Sequence, residues 1–452
     1  MWRNALTPKS LFLTLTATCF VGFRLHALLS ADSLGVFPDT DAYLNVAERS
    51  IFSLGFWAHK PAGLPLLVKV SGGNVHVVVW LQWVLSCVAW ICFAHAMYVS
   101  QRSFLRFLGW VVALMLGLGT QFCGWDSVVL SESLAVTCSV AAISAWILWS
   151  KSPNVKNRWM VCLVTLIWIM TRDIHAYLGS LIAFVLLVHC VWRKRLGHEF
   201  ALSATLLAWA LIQLHFATLG QRFLFPVQNV MSMRIWVDPD RVAYFQQEGM
   251  PWNAQVQKHA GESAGEYVHQ PYMVPMANWL LERGKGAYAG FLISEAEWAT
   301  EALFEPTTLN QLVRPGIQTY FPVGFDPPLG ESWNNWLTLR RFPHAVLLLG
   351  MWLAGVLFVL SRRPDRYVAI GTFAIFFPGA FLVYHGDAIE VARHSLTVSL
   401  FFCLGFWLMA FQCVDEWMRR LQGFVASASG YILDDSGEAS AQSRMASKEL
   451  RQ

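Results

Sequence analysis

Five short stretches carry the residues that can do chemistry. The first is Phe37-Pro38-Asp39-Thr40-Asp41-Ala42-Tyr43. A helix beginning at Pro38 puts Asp39 and Tyr43 on one face at i and i+4, with Asp41, Asn45 and Glu48 in a neighbouring row. A carboxylate here can serve as a general base, and the same acids make a good helix N-terminus; the two roles are compatible. The second stretch is Lys60-Pro61-Ala62-Gly63-Leu64-Pro65. Lys60 can hold a phosphate as a point charge in a turn fixed by Pro and Gly, or simply snorkel at a membrane interface. The third is Asp126 with Ser131-Glu132, where Glu132 opens an otherwise apolar helix. An acid there suits the helix N-terminus, and an ionisable group at the edge of hydrocarbon is also a functional candidate. In the fourth, Thr171-Arg172-Asp173-Ile174-His175, Arg172 and Asp173 neutralise one another, or Arg172 receives an anion such as a lipid phosphate. The fifth is His385-Gly386-Asp387-Ala388-Ile389-Glu390-Val391-Ala392-Arg393-His394. Glu390 and His394 share a helix face and, with His385 and Asp387, are candidate metal ligands; with Arg393 among them the set suits phosphate handling equally well.

The elements that must position these residues are membrane helices. The chain has 452 residues, 56% hydrophobic and 14% charged, against roughly 25% charged in a soluble protein. The fold class is an all-α polytopic membrane protein with about ten transmembrane helices and a long external loop of short helices. Apolar runs place the spans near 11–29, 75–99, 104–122, 128–149, 159–171, 176–192, 200–219, 343–361, 367–384 and 394–414. The fifth is short and runs almost directly into the sixth, so it tilts or belongs to a broken element. The first run has no small-residue cleavage site and reads as a retained helix.

Basic residues fall on alternate connections: Arg3 and Lys9; Arg102 and Arg106; Lys151, Lys156 and Arg158; Arg193, Lys194 and Arg195; Arg362, Arg363 and Arg366; Arg419 and Arg420. This places the N- and C-termini in the cytoplasm and all five chemical stretches on the external face. The expected layout is an N-terminal transmembrane module (1–219), an external loop domain (220–342), C-terminal transmembrane helices (343–414) and a mostly disordered cytoplasmic tail (415–452). In the loop, Asp238-Pro239 reads as a helix cap, and Gly249, Gly284, Pro315 and Pro322 as breaks. A net charge of +4 gives topology signals and excludes nucleic-acid binding. The nine cysteines form no CxxC pair and indicate no disulfide framework. No N-x-Ser/Thr acceptor occurs in the external loops, a slight lean to a bacterial inner membrane with a periplasmic site.

At these residues the chain resembles the GT-C superfamily of polytopic glycosyltransferases, in particular protein mannosyltransferases and lipid A aminoarabinose transferases. The matching stretches are Asp39-Thr40-Asp41-Ala42-Tyr43-Leu44, the Lys60–Pro65 turn, the Ser131-Glu132-Ser133-Leu134 helix start and Arg172, covering roughly the first 190 residues, with 385–394 matching more loosely. Thr40 and Ala62 depart from the family pattern, where an acid and a proline are usual. The resemblance implies transfer of a sugar from a polyprenyl-phosphate donor to a glycan, lipid or protein acceptor within the lipid bilayer. Asp39 or Asp41 would be the base. Tyr43, Lys60, Glu132, Arg172, Asp173, His385, Glu390, Arg393 and His394 would bind the substrate and its phosphate. No metal is required on this scheme, though a divalent ion is compatible with it. The alternative from a different class is a transporter or flippase of a lipid-linked or anionic substrate, which calls for mid-membrane ionisable residues and broken helices.

Overall fold

A computed structural model describes residues 7–449 apart from 103, 195 and 315–317, with side chains described up to residue 425 apart from 423. Arg3, Arg195 and Pro315 lie outside the described residues. The chain is a helical multi-pass integral membrane protein with no strand among those residues. In order, the elements used below are α1 (Pro8–Ser30), α2 (Pro38–Glu48), α3 (Gly63–Val70), α4 (Val75–Ser100), α5 (Leu105–Gly117), α6 (Ser131–Lys151), α7 (Val155–Ile169), α8 (Asp173–Trp192), α9 (His198–Leu219), α10 (Pro343–Leu360), α11 (Arg366–Gly386) and α12 (Leu396–Glu449).

Eight helices are long and apolar enough to cross a membrane: α1, α4, α6, α8, α9, α10, α11 and the Leu396–Gln422 part of α12. The expected span 104–122 is a bent pair instead. Leu105–Gly117 and Thr120–Ser127 meet at 58° around Leu118-Gly119. The expected span at 159–171 falls short. Helix α7 has 15 residues, about 22 Å at 1.5 Å per residue, against a hydrocarbon core of about 30 Å. The final helix carries on through the polar tail to Glu449. That tail has no proline, and its Ala, Glu, Gln and Lys residues are good helix formers.

The core helices are α6 and α12. Within the membrane-length windows, 72% of α6 and 78% of α12 is buried, against 22% of α1. Helix α4 packs along α6, α8 along α9, and α11 along α12. Apolar side chains such as Trp90, Phe93, Phe122, Phe376 and Phe402 fill the spaces between them. The short helices between α9 and α10 gather around a second apolar cluster built from Phe245, Met273, Met276 and Phe291. Asp238 caps one of them, Pro239–Gln247, accepting from the backbone N–H of Asp240 at 3.0 Å.

Far from the chemical stretches, the opposite face is fastened by a network of buried charge. Asp365 is fully buried and pairs with Arg363 and Lys151, each at 2.9 Å. Arg363 also pairs with Asp415 of α12, and Asp415 accepts from the backbone N–H of Arg102 at 3.0 Å. Some basic residues that mark this face in the sequence therefore also lock α4, α6 and α12 together.

Candidate functional site

Helices α2, α6, α8 and α12 all begin at one end of the bundle, and the chemical residues cluster at those beginnings. Helix N-termini carry partial positive charge and free N–H groups, which favours acidic side chains and anionic ligands there.

The α2 start is built from Pro38 in the first turn and Thr40 at the third position. The Thr40 hydroxyl accepts from the Phe37 N–H at 3.0 Å and donates to the Val129 carbonyl at 2.8 Å. This tie docks α2 against the approach to α6. It also accounts for a threonine here: the buried position faces a carbonyl and needs a donor, which a carboxylate does not supply. One α2 face then carries Asp39 and buries Tyr43, while Asp41, Asn45 and Glu48 are exposed on the other.

Lys60 Nζ donates to Asp39 Oδ1 at 3.0 Å and lies 5.2 Å from the centre of the Tyr43 ring. The turn that presents it is held by Gly63, whose N–H donates to the Met170 carbonyl at 3.0 Å. A Cβ at Gly63 would come within 3.1 Å of the Thr171 backbone, so the glycine sets how closely this turn approaches the Arg172 segment.

Arg393 is the hub. Its two terminal nitrogens each lie 3.3 Å from Asp39 Oδ2, one also lies 2.5 Å from Glu390, and Nε is 3.5 Å from Glu132 Oε1. Glu132, almost fully buried, also meets Arg172 Nη1 at 3.3 Å. Glu390 accepts from the Tyr320 hydroxyl, and the Tyr320 ring packs against Phe37 and Trp125. Asp173 pairs with Arg222 at 2.9 Å. Segments separated by up to 354 residues thus meet at one place.

The electrostatics follow from these contacts. Burial pushes the Asp39 carboxyl up, but Lys60 and then Arg393 outweigh it and hold the group below its usual range. Burial and the nearby Glu132 push the Tyr43 hydroxyl up to about 12, so it stays a neutral donor. Burial and Glu390 do the same to Tyr320, also to about 12. Burial opposes the charge on Arg393, but Glu132, Glu390 and Asp39 more than compensate and fix it as a cation. His394 is pushed well below its usual value by burial and by Arg172 and Arg393, so it is neutral at pH 7.

Several guanidinium donors remain open. Arg172 Nη1 and Arg393 Nε lie near Glu132 without hydrogen-bond alignment, and Arg222 Nε and Nη1 are buried with no acceptor among the described residues. Buried donors in this state are well suited to an anionic ligand that brings its own oxygens.

The sequence-predicted residues divide into three groups. Asp39, Tyr43, Lys60, Glu132, Arg172, Glu390 and Arg393 share the cluster, with Asp173 and His394 at its edge. Asp41 is exposed and makes no ion pair among the described residues. His385 is elsewhere: its Nε2 meets the Ala299 carbonyl at 2.9 Å and its ring packs on Trp298 and Phe381, bracing α11 against the loop domain. The candidate metal set of His385, Asp387, Glu390 and His394 does not come together, because His385 faces away and Glu390 is taken by Arg393 and Tyr320. No group of three such ligands converges among the described residues.

Sequence reasoning missed Tyr320, Arg222 and Arg24. Tyr320 and Arg222 stand in the long loop without a motif. Arg24, fully buried in α1, donates to the Gly117 carbonyl and to Ser86 and pairs with Asp126, which Ser133 also contacts at 2.9 Å. One cation inside an otherwise apolar run of the first span was its signal. Neither a protein-family model nor a curated protein sequence matches this chain.

Proposed function

We propose that the chain is a membrane glycosyltransferase that moves a sugar from a polyprenyl-phosphate carrier to an acceptor hydroxyl, inverting the anomeric centre. The observation that supports this most is Asp39 held between Lys60 and Arg393, with Arg172 and Arg222 close by, at the common start of four helices. A transferase of this kind needs a carboxylate beside cations that accept a leaving phosphate.

In the proposed step Asp39 takes the acceptor proton. The acceptor oxygen bonds to the anomeric carbon, and the carbon–oxygen bond to phosphate breaks with its electron pair leaving on the phosphate. Lys60 and Arg393 stabilise that charge, assisted by Arg172. The resting ion pairs make Asp39 a weak base. A donor phosphate competes for the same two cations, so donor binding frees Asp39 and strengthens it when it is needed. Asp41 takes no part. Tyr320 and the loop domain cover the site and meet the acceptor, whether glycan, lipid or protein. The same reading puts the site on the periplasmic face of a bacterial inner membrane, with both termini in the cytoplasm.

A second reading, a transporter or flippase of a lipid-linked anion, is favoured by two specific features. These are the buried Arg24–Asp126 pair and the 58° break after α5. Transfer from radiolabelled polyprenyl-phosphate sugars in membranes carrying wild type, Asp39→Asn or Asp41→Asn separates the two. Transfer lost in Asp39→Asn alone supports the transferase. Labelled lipid crossing the bilayer without transfer in any sample supports the transporter.

A further inference from the structure

The charge of the candidate site is polarised. Arg393 is surrounded by three carboxylates, Asp39, Glu132 and Glu390. Asp173 has the reverse surroundings: Arg222, Arg172 and Lys60 are the charges that act on it. Over the whole cluster Lys60, Arg172, Arg222 and Arg393 balance Asp39, Glu132, Asp173 and Glu390. The difference between its two ends, rather than the sum, therefore decides where an anion fits.

The Asp173 end also holds the less occupied cation. Arg222 uses only Nη2, which meets Asp173 at 2.9 Å and the Gln213 carbonyl at 3.3 Å. Its Nε and Nη1 are buried without an acceptor among the described residues, and the side chain is only 7% exposed. Arg172 Nη1 is likewise buried without a hydrogen bond. A guanidinium with two open donors matches an oxyanion that fills both at once and supplies charge, which water does not. Asp173 itself is 35% exposed, so a ligand can reach this end.

The backbone is built to bring Arg222 here. Helix α9 ends beside Gly220, which packs on the Ala58 carbonyl just ahead of Lys60, and the Phe216 ring stacks on Trp57 with centroids 5.9 Å apart. Gln221 then turns the chain in the left-handed region at φ 53°, a conformation that a non-glycine residue keeps only where its surroundings hold it. Lys60 adjoins both ends, pairing with Asp39 at 3.0 Å and acting on Asp173.

We infer that Arg222 and Arg172 form a second phosphoryl subsite beside Lys60, so that the site takes a carrier linked through a diphosphate rather than a single phosphate. This rests on the proposed transfer, which sets the first phosphate at Lys60 and Arg393. The bond that breaks is the same, anomeric carbon to phosphate oxygen. Its electron pair leaves on a diphosphate whose second phosphoryl group is neutralised by Arg222.

Equilibrium binding of radiolabelled polyprenyl monophosphate and polyprenyl diphosphate to the full chain in detergent tests this. The ratio of the two affinities is read, since it does not depend on the fraction of protein folded. Wild type should prefer the diphosphate by about tenfold, the worth of one charge-assisted contact. In Arg222→Gln the ratio should fall to about one, and Arg222→Lys, which keeps the charge but not the fork, should lie between. Where Arg222→Gln does not fold, Arg222→Gln with Asp173→Asn removes the stranded acid and should give the same ratio as expected for Arg222→Gln. Monophosphate binding with no preference in wild type, or a preference unchanged in Arg222→Gln, would overturn this inference alone. No binding of either lipid by wild type would overturn the transferase reading with it. Inorganic phosphate bound through Arg222 alongside saturating monophosphate, with no diphosphate preference, would also overturn the diphosphate and give the subsite to a phosphorylated acceptor.

Discussion

Replacing Arg393 by Gln tests the hub of the site. The side chain is mostly buried and touches Asp39, Glu132 and Glu390 together. Removing one partner of a buried pair costs about 3–5 kcal/mol. The low end applies here, because each carboxylate keeps a second contact: Asp39 has Lys60, Glu132 has Arg172 and Glu390 has Tyr320. Unfolding entropy of about 2 cal/mol/K per residue, over 452 residues, turns about 3 kcal/mol into a fall of about 3 °C in Tm. Arg393→Lys keeps a charge but loses the fork, so it can satisfy one acid at a time and should lie between the two. Adding Glu390→Gln to Arg393→Gln removes an uncompensated negative charge, so part of the loss should return, with a coupling of about 1 kcal/mol. Thermal unfolding of the purified protein, followed by circular dichroism, reads these three variants and Glu390→Gln alone. An Arg393→Gln protein as stable as wild type, or a double variant showing only the sum of two losses, would refute the view that Arg393 neutralises these acids.

Other expected outcomes follow from the same geometry. Asp39→Asn should abolish sugar transfer, whereas the exposed Asp41→Asn should keep more than about half, measured with a radiolabelled donor at matched expression. Unfolded His394 takes up a proton near pH 6.5 and the folded residue does not, so His394 should make stability fall as pH drops below about 6.5 and leave it unchanged above pH 7. Tm against pH for wild type and His394→Gln checks this, since the variant should lose that part of the slope. Arg24→Leu leaves Asp126 buried and unpaired and should cost about 3–5 kcal/mol, while Arg24→Leu with Asp126→Leu should recover most of it, read by Tm. Gly220→Ala should fold poorly, because its Cβ would sit 1.8 Å from the Ala58 carbonyl oxygen; folded yield by size-exclusion chromatography measures this.

The membrane class and most of the spans are legible because long apolar runs are a one-dimensional signal. The two departures arise where length and bending decide. Nothing in the hydropathy of 104–122 marks a 58° break, and α7 reaches only 15 residues before Thr171-Arg172 interrupts it. The site was legible as a set of polar residues sharing one face, and Asp39 with Lys60 was separable from Asp41 only through the rotation of α2. That rotation is set by the tie from Thr40 to Val129, a contact across 89 residues that no local pattern announces. His385 was misplaced for a related reason. Its closeness in sequence grouped it with Glu390 and His394, but α11 ends at Gly386 and a turn separates it from the short helix Val391–His394.

The arrangement of charge also bears on which proposed reaction is the better one. A transporter must let an anion leave, so its cations should be balanced and accessible from both sides in turn. Here the open donors of Arg172, Arg222 and Arg393 gather at one end of the bundle, while the Arg24–Asp126 pair behind them is held by Gly117, Ser86 and Ser133, with Arg24 Nε left without an acceptor among the described residues. That inner pair joins α1, α4 and α6 with the bent segment, directly behind the start of α6 that carries Glu132. A moving substrate path would leave such a pair exposed to solvent in one state, and breaking it costs about as much as a whole ligand contributes. Its burial and its ties to four segments fit a fixed support for Glu132 better than a moving part. Arg24→Leu with Asp126→Leu decides between these roles: a support can be replaced by well-packed apolar side chains with transfer largely kept, whereas a transport relay without its charges stops.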